Sequence, residues 1–230
     1  MTRFLIEFRL RGYAKKYAKW AGACTLRQAK KLRVRKLRQP RFVPHITLFG
    51  PAEAHNLGNV IREVERIGRK YPLVPFKLGV KRGEFQNVDA KWLYLDVRPS
   101  PELEQLRHDL AQGVLRLEKR ISETCQPYDH KPEYQFHCSI GKYNPRDKGR
   151  FEKLCDYAEA KCSLEAFKQC KVSLFARLLN ILKKYAFRTE AEDDRDTSQH
   201  LLRVTVLGRG GRIQSEYDLV LGRMLSRGQA

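Results

Sequence analysis

The chain has 230 residues, with 46 Lys and Arg against 26 Asp and Glu, and so a formal charge of +20. Its 42% hydrophobic content, with 10% aromatics, is enough for a packed core and excludes wholesale disorder. No apolar run reaches the roughly 20 residues of a membrane span, and the stretch MTRFLIEFRLRG holds Glu7 and Arg9 with no small-residue cleavage site, so the expectation is a soluble, cytoplasmic protein.

The first element is a strand: Phe4, Ile6, Phe8 and Leu10 alternate onto one face. A basic helix follows from Tyr13 to about Leu32, ended by Pro40 at the latest. Phe42 to Gly50, short, apolar and bounded by Pro and Gly, reads as a buried strand. Asn56 then caps a helix with Leu57, Val60, Ile61, Val64 and Ile67 on its apolar stripe. Strand signals return between Leu73 and Val97. Ser100-Pro101-Glu102 opens a helix with a capping hydroxyl, proline in the first turn and an acid beside it; its stripe runs Leu103, Leu106, Leu110, Val114, Leu117, Ile121.

In the second half, Tyr134 to Ile140 reads as a strand. Asp147 caps a helix with Phe151, Leu154, Cys155 and Ala158 buried. Two strand pairs follow, one over Lys171 to Thr189 and the other Leu201 to Leu207 with Ile213 to Leu221, separated by the acidic loop Glu190 to Asp194. Strands and helices mix without steady βαβ alternation, so the fold class is α+β.

All six cysteines are expected as reduced thiols, because no Cys-x-x-Cys pair or zinc spacing occurs. The densest basic stretch carries Arg27, Lys30, Lys31, Arg33, Arg35, Lys36, Arg38 and Arg41 with no intervening acid. Such a segment on so cationic a chain points to nucleic acid, with counterion release as the driving force. It lacks the bulky aromatic anchors of a membrane-surface helix.

One arrangement occurs twice: a strand carrying His-x-Thr/Ser, a glycine turn, and a capped helix. The copies are His45-Ile46-Thr47 and His137-Cys138-Ser139. Residues i and i+2 of a strand share a face, so each copy presents an imidazole beside a hydroxyl. Imidazole gives or takes a proton near neutral pH, and hydroxyls donate to anionic oxygens without adding charge. Two such strands brought together suit a phosphodiester: one histidine deprotonates the attacking group, the other protonates the leaving oxygen, and Thr47 and Ser139 hold the non-bridging oxygens.

Through Pro44-His45-Ile46-Thr47-Leu48 and Phe136-His137-Cys138-Ser139-Ile140, the sequence resembles the two-histidine (2H) phosphoesterases, in particular their 2′-5′ RNA ligase/RNA 2′,3′-cyclic phosphodiesterase branch. The resemblance implies a single bilobal domain over residues 1–230, with two pseudo-symmetric lobes of antiparallel sheet and helices around a central cleft. It implies His45 and His137 as the catalytic pair, Thr47 and Ser139 as phosphate ligands, and neither metal nor nucleotide cofactor. Many relatives carry Arg three residues beyond the hydroxyl; here Gly50 and Lys142 stand there, which makes Lys142 a candidate phosphate contact. The implied activity is opening of 2′,3′-cyclic phosphate ends of RNA, tRNA among the candidates, to 2′-phosphate by a monomeric enzyme. Alternatives are 2′-5′ ligation at the same site and a non-catalytic RNA-binding module.

Other features read as structural. Gly208-x-Gly210-Gly211 lacks the Lys-Ser/Thr of a phosphate loop and reads as a hairpin turn. His55, His108, His130 and His200 have no paired hydroxyl. Phe49, Phe85, Tyr134 and Tyr143 are read as core aromatics that could otherwise stack on bases.

Overall fold

The structure, a computed structural model, describes residues 1–34, 43–72, 74–84, 91–142, 148–170 and 199–225. The opening alternation forms β1 (Thr2–Arg9), whose Phe4, Ile6 and Phe8 enter the core. α1 (Gly12–Lys31) follows and then β2 (His45–Ala54), which buries Ile46, Leu48 and Phe49. α2 (Leu57–Gly68) starts where expected: Asn56 accepts the Gly58 amide at 2.9 Å. β3 (Val74–Glu84) and β4 (Lys91–Pro99) make a long antiparallel pair. α3 (Pro101–Leu115) is capped by Ser100, α4 (Lys119–Thr124) and a 3-10 turn at Pro127–His130 follow, and β5 (His137–Lys142) carries the second motif. α5 (Lys148–Lys161), β6 (Gln199–Leu201), β7 (Arg203–Leu207), β8 (Ile213–Asp218) and β9 (Arg223–Leu225) complete the described chain.

The strands form two antiparallel sheets, ordered β2-β1-β7-β8-β9 and β5-β4-β3-β6. Each motif strand is therefore an edge strand, one per sheet. The α+β class and the two-lobed plan hold. The lobes also exchange helices. α1 connects two strands of the first sheet yet packs on β5 and α5, where Tyr17 donates its hydroxyl to the Cys162 carbonyl at 2.9 Å. α3 connects two strands of the second sheet yet packs on α2 and β2. One continuous hydrophobic cluster runs through both halves. No helix among the described residues is long and apolar enough to cross a membrane, and all six cysteines are free.

Several boundaries differ from expectation. The stripe from Leu103 to Ile121 is split into α3 and α4, because Glu118 is drawn off the helical path to accept the His55 amide at 2.7 Å. The second motif strand begins at His137, since Tyr134 is turned toward α3 instead of pairing. β2 runs past Gly50 to Ala54. Leu201 to Leu207 is two strands: β6 pairs with β3, and after Leu202 β7 pairs with β1 in the other sheet. The 208–211 glycines do make the β7–β8 hairpin turn. The expected pair over 171–189, the acidic loop at 190–194 and the Asp147 cap lie outside the described residues.

Arg107 is the largest fully buried side chain among the described residues, 1% exposed on the inner face of α3. Its guanidinium donates to the carbonyls of Lys131 at 2.7 Å and Tyr128 at 3.0 Å, lies 3.7 Å from Asp129, and stacks 4.3 Å from the Tyr134 ring centre. Asp129, wholly buried, accepts the amides of Gly50 and Gln126 at 3.0 and 3.1 Å. Burial pushes Asp129 up to about 7 against the pull of those amides and Arg107. Arg107→Ala should therefore cost about 3–5 kcal/mol, the usual penalty for orphaning one partner of a buried pair, and lower Tm by on the order of 10 °C. A folded-state pKa raised above the unfolded one supports stability at low pH and withdraws it as pH rises through about 7. The Tm loss, measured by calorimetry, should thus be larger at pH 8 than at pH 5.

Candidate active site

His45 opens β2 and His137 opens β5. Their neighbours Ile46 and Cys138 turn into the core, which leaves each imidazole and its hydroxyl partner, Thr47 or Ser139, partly exposed on the opposite face. The two edge strands abut. Tyr134, three residues before His137, donates its hydroxyl to the Thr47 carbonyl at 3.1 Å. The Cys138 thiol, pushed up to about 12 chiefly by burial, meets the His45 backbone amide. Gly50 ties β2 to Asp129 from the other side of the motif. The structure thus brings His45 and His137 together from positions 92 residues apart in sequence.

The histidines are anchored alike. His45 Nδ1 lies 3.0 Å from the Val43 carbonyl, and His137 Nδ1 lies 2.9 Å from the Gln135 carbonyl. A carbonyl only accepts, so in each ring Nδ1 carries hydrogen and Nε2 is the atom that exchanges a proton. Burial pushes the His137 pKa down; the Gln135 carbonyl opposes this, and the nearby charge of His45 adds to it.

The cross-strand neighbours are polar in one lobe and aromatic in the other. On β1, Glu7 faces Thr47 and Arg9 faces His45. Glu7 is 1% exposed; its Oε1 accepts Arg9 Nε at 3.0 Å, and its Oε2 lies 3.7 Å from His45 Nε2. Thr205 faces Glu7 on β7 and donates to Glu216 at 2.9 Å; Glu216 also draws Arg11 and Arg203 to 3.4 and 3.5 Å. On β4, Tyr94 faces Ser139 and Asp96 faces His137. The Tyr94 ring centre is 5.5 Å from that of His137, and its hydroxyl accepts from the Gln135 amide at 2.5 Å.

Other expected site residues are dispersed. Lys142 ends β5 opposite Trp92. Gly50, three residues beyond Thr47, has φ +88, and a Cβ there would meet the Ala52 amide nitrogen at 3.0 Å and the Phe4 carbonyl at 3.2 Å, so any side chain is strained. Arg27, Lys30 and Lys31 are exposed on the last turns of α1, and Arg33 follows at its end, its carbonyl accepting from Arg150 at 3.1 Å. Arg35, Lys36, Arg38 and Arg41 lie outside the described residues, as do Phe85 and Tyr143. Phe49 is core, stacked on Phe4, and Tyr134 packs on Arg107. His55 pairs with Glu118 and His130 contacts the Ser122 carbonyl, both structural. No group of three metal-ligating side chains occurs among the described residues.

Glu7, Tyr94, Arg107 and Asp129 were not anticipated. Glu7 gave a signal, a charge within an otherwise apolar strand. Arg107 gave one too, since it falls between Leu103 and Leu110 on the buried stripe of α3.

No curated protein is matched by the sequence. Solved structures similar to the chain include Kluyveromyces marxianus Usb1 with uridine monophosphate, at 13% identity over 95% of this chain and 96% of that one, with a TM-score of 0.49. Escherichia coli LigT in apo form is 14% identical over 98% and 95%, with a TM-score of 0.44. A structure described as a phosphoesterase is 12% identical over 93% and 92%, with a TM-score of 0.43. A sequence model of the 2′-5′ RNA ligase superfamily matches residues 18–178, an interval that holds both histidine strands. On that match the chain belongs to the 2′-5′ RNA ligase superfamily, the two-histidine phosphoesterases that its paired motifs resemble.

Proposed function

We propose that the protein is an RNA 2′,3′-cyclic phosphodiesterase that opens cyclic phosphate ends to 2′-phosphate by paired imidazole catalysis. The observation that carries this reading is the doubled anchoring of His45 and His137, each with Nδ1 held by the carbonyl two residues before it and Nε2 left for proton exchange. Water attacks phosphorus in line as one Nε2 takes its proton. The phosphorus–O3′ bond breaks as the other Nε2 protonates the departing oxygen, which leaves the phosphate on O2′. Thr47 and Ser139 donate to the non-bridging oxygens as charge redistributes, and Lys142 adds a phosphate contact. The whole chain acts as one bilobal unit, a reading supported by the exchanged helices α1 and α3.

RNA is the partner because the charge of +20 draws polyanions and the basic face at the end of α1 continues into further Lys and Arg. The family match favours a second reading at the same site, in which a 5′-hydroxyl RNA replaces water and the product is a 2′-5′ linkage. Product analysis with and without 5′-hydroxyl RNA separates the two.

His45→Ala and His137→Ala should each lower kcat/KM on a 2′,3′-cyclic nucleotide by about 10²–10⁴, with Tm nearly unchanged. Full turnover in either variant would end the enzymatic reading. Replacing Arg27, Lys30, Lys31 and Arg33 together by Ala should weaken RNA binding at 50 mM salt and flatten the plot of log affinity against log salt by about 0.7 per lost single-strand contact. Turnover of a cyclic mononucleotide, which has no further nucleotides for those cations to hold, should stay the same.

A further inference from the structure

We propose that Glu7 breaks the symmetry of the site: it is a positioning residue that holds His45 as the proton donor to the leaving oxygen and so leaves His137 as the base. The inference rests on the phosphodiesterase reading above and gives it a direction.

The two motif strands are superficially interchangeable, each with the same residue types and the same Nδ1 anchor. Their cross-strand neighbours are not. In an antiparallel pair, residues directly opposite share a face and touch. The residue opposite Thr47 is Glu7, whereas the residue at the matching place opposite Ser139 is Tyr94. His45 therefore has the buried carboxylate of Glu7 beside it, while His137 has the buried Tyr94 ring beside it and the partly exposed Asp96 opposite it in register. Glu7 Oε2 is 3.7 Å from His45 Nε2, the very atom that must carry the transferable proton. A carboxylate at that distance, removed from water, favours imidazolium over imidazole.

The other charges near the pair do not reverse this. Arg9, also on β1, is opposite His45, but its Nε is engaged by Glu7 Oε1, so the carboxylate stands between guanidinium and ring. From β5, His137 and Cys138 approach His45; the thiol is held neutral by burial. Around His137 stand His45 from β2 and Tyr94 and Asp96 from β4. Asp96 is opposite His137 in register, and its charge acts on the Tyr94 hydroxyl. Burial and the charge of His45 both press His137 toward the neutral form.

The cycle then balances. With His45 protonated and His137 neutral, water gives its proton to His137 Nε2 as oxygen bonds to phosphorus. The phosphorus–O3′ bond breaks, and the His45 Nε2 proton goes to O3′. The enzyme is left with His137 charged and His45 neutral, and exchange with solvent restores the starting state.

The test is an NMR titration of the imidazoles in the full chain without substrate, assigned with single His→Gln variants. His45 should bind its proton at higher pH than His137. Glu7→Gln, which keeps size and loses charge, should narrow or reverse that order. The falling, alkaline limb of the kcat/KM profile should move to lower pH while the acid limb stays. Asp96→Asn should leave the order unchanged. His137 titrating above His45, or an alkaline limb indifferent to Glu7→Gln, overturns the proposal. If the Glu7 variant does not fold, the order in the native chain decides alone. Absence of cyclic phosphate turnover would refute the functional reading, whereas the titration order judges Glu7 independently.

Discussion

A single buried guanidinium decides where the two motif strands sit. Arg107 leaves α3 with no access to water, donates to the carbonyls of Tyr128 and Lys131, lies 3.7 Å from the Asp129 carboxyl and stacks on the face of Tyr134. Those partners belong to the segment that leads into His137. They in turn reach β2 on both sides of its motif, Tyr134 through the Thr47 carbonyl and Asp129 through the Gly50 amide. Compared with an apolar replacement, a buried pair of this kind adds little net stability, since desolvation consumes most of its Coulomb attraction. What it supplies is placement: it ties α3 to the segment before β5 and, through Tyr134 and Asp129, to β2.

Around that pin, the architecture does two separable jobs. Two abutting edge strands each present an imidazole and a hydroxyl, each ring fixed by a backbone carbonyl at the same offset. Acid–base catalysis also needs a difference, because a site with two identical histidines has no preferred direction for its protons. We place that difference in the neighbouring strands: buried Glu7 lies 3.7 Å from His45 Nε2, whereas the Tyr94 ring packs on His137 and the carboxylate opposite it in register, Asp96, is partly exposed. Symmetry is thus carried by the motif and asymmetry by the strand beside it.

The sequence made much of this readable. Helix starts at Asn56 and Ser100 followed from side chains that accept the amides two and three residues on, and local capping does not depend on the rest of the fold. The motif residues were legible because period-two alternation assigns His45 and Thr47 to one face whatever the strand pairs with. Pairing itself was not legible. Nothing within Leu201 to Leu207 announces that the chain changes sheets at Leu202, and nothing in the spacing puts Glu7 opposite Thr47 and Tyr94 opposite Ser139. Register is a tertiary property, and the residues missed, Glu7, Tyr94 and Asp129, matter through register or long-range contact. Arg107 was hidden differently: a charge on a helix stripe reads as a solvated exception until its partners arrive from residues 128–134.

The central claim is that both histidines act on one phosphorus centre. A crystal structure with orthovanadate, a mimic of five-coordinate phosphorus, tests it most directly. The account predicts one vanadate within hydrogen-bond distance of Nε2 of both His45 and His137, with the Thr47 and Ser139 hydroxyls on its equatorial oxygens. Vanadate held by one histidine alone, with the other ring turned away, would contradict it.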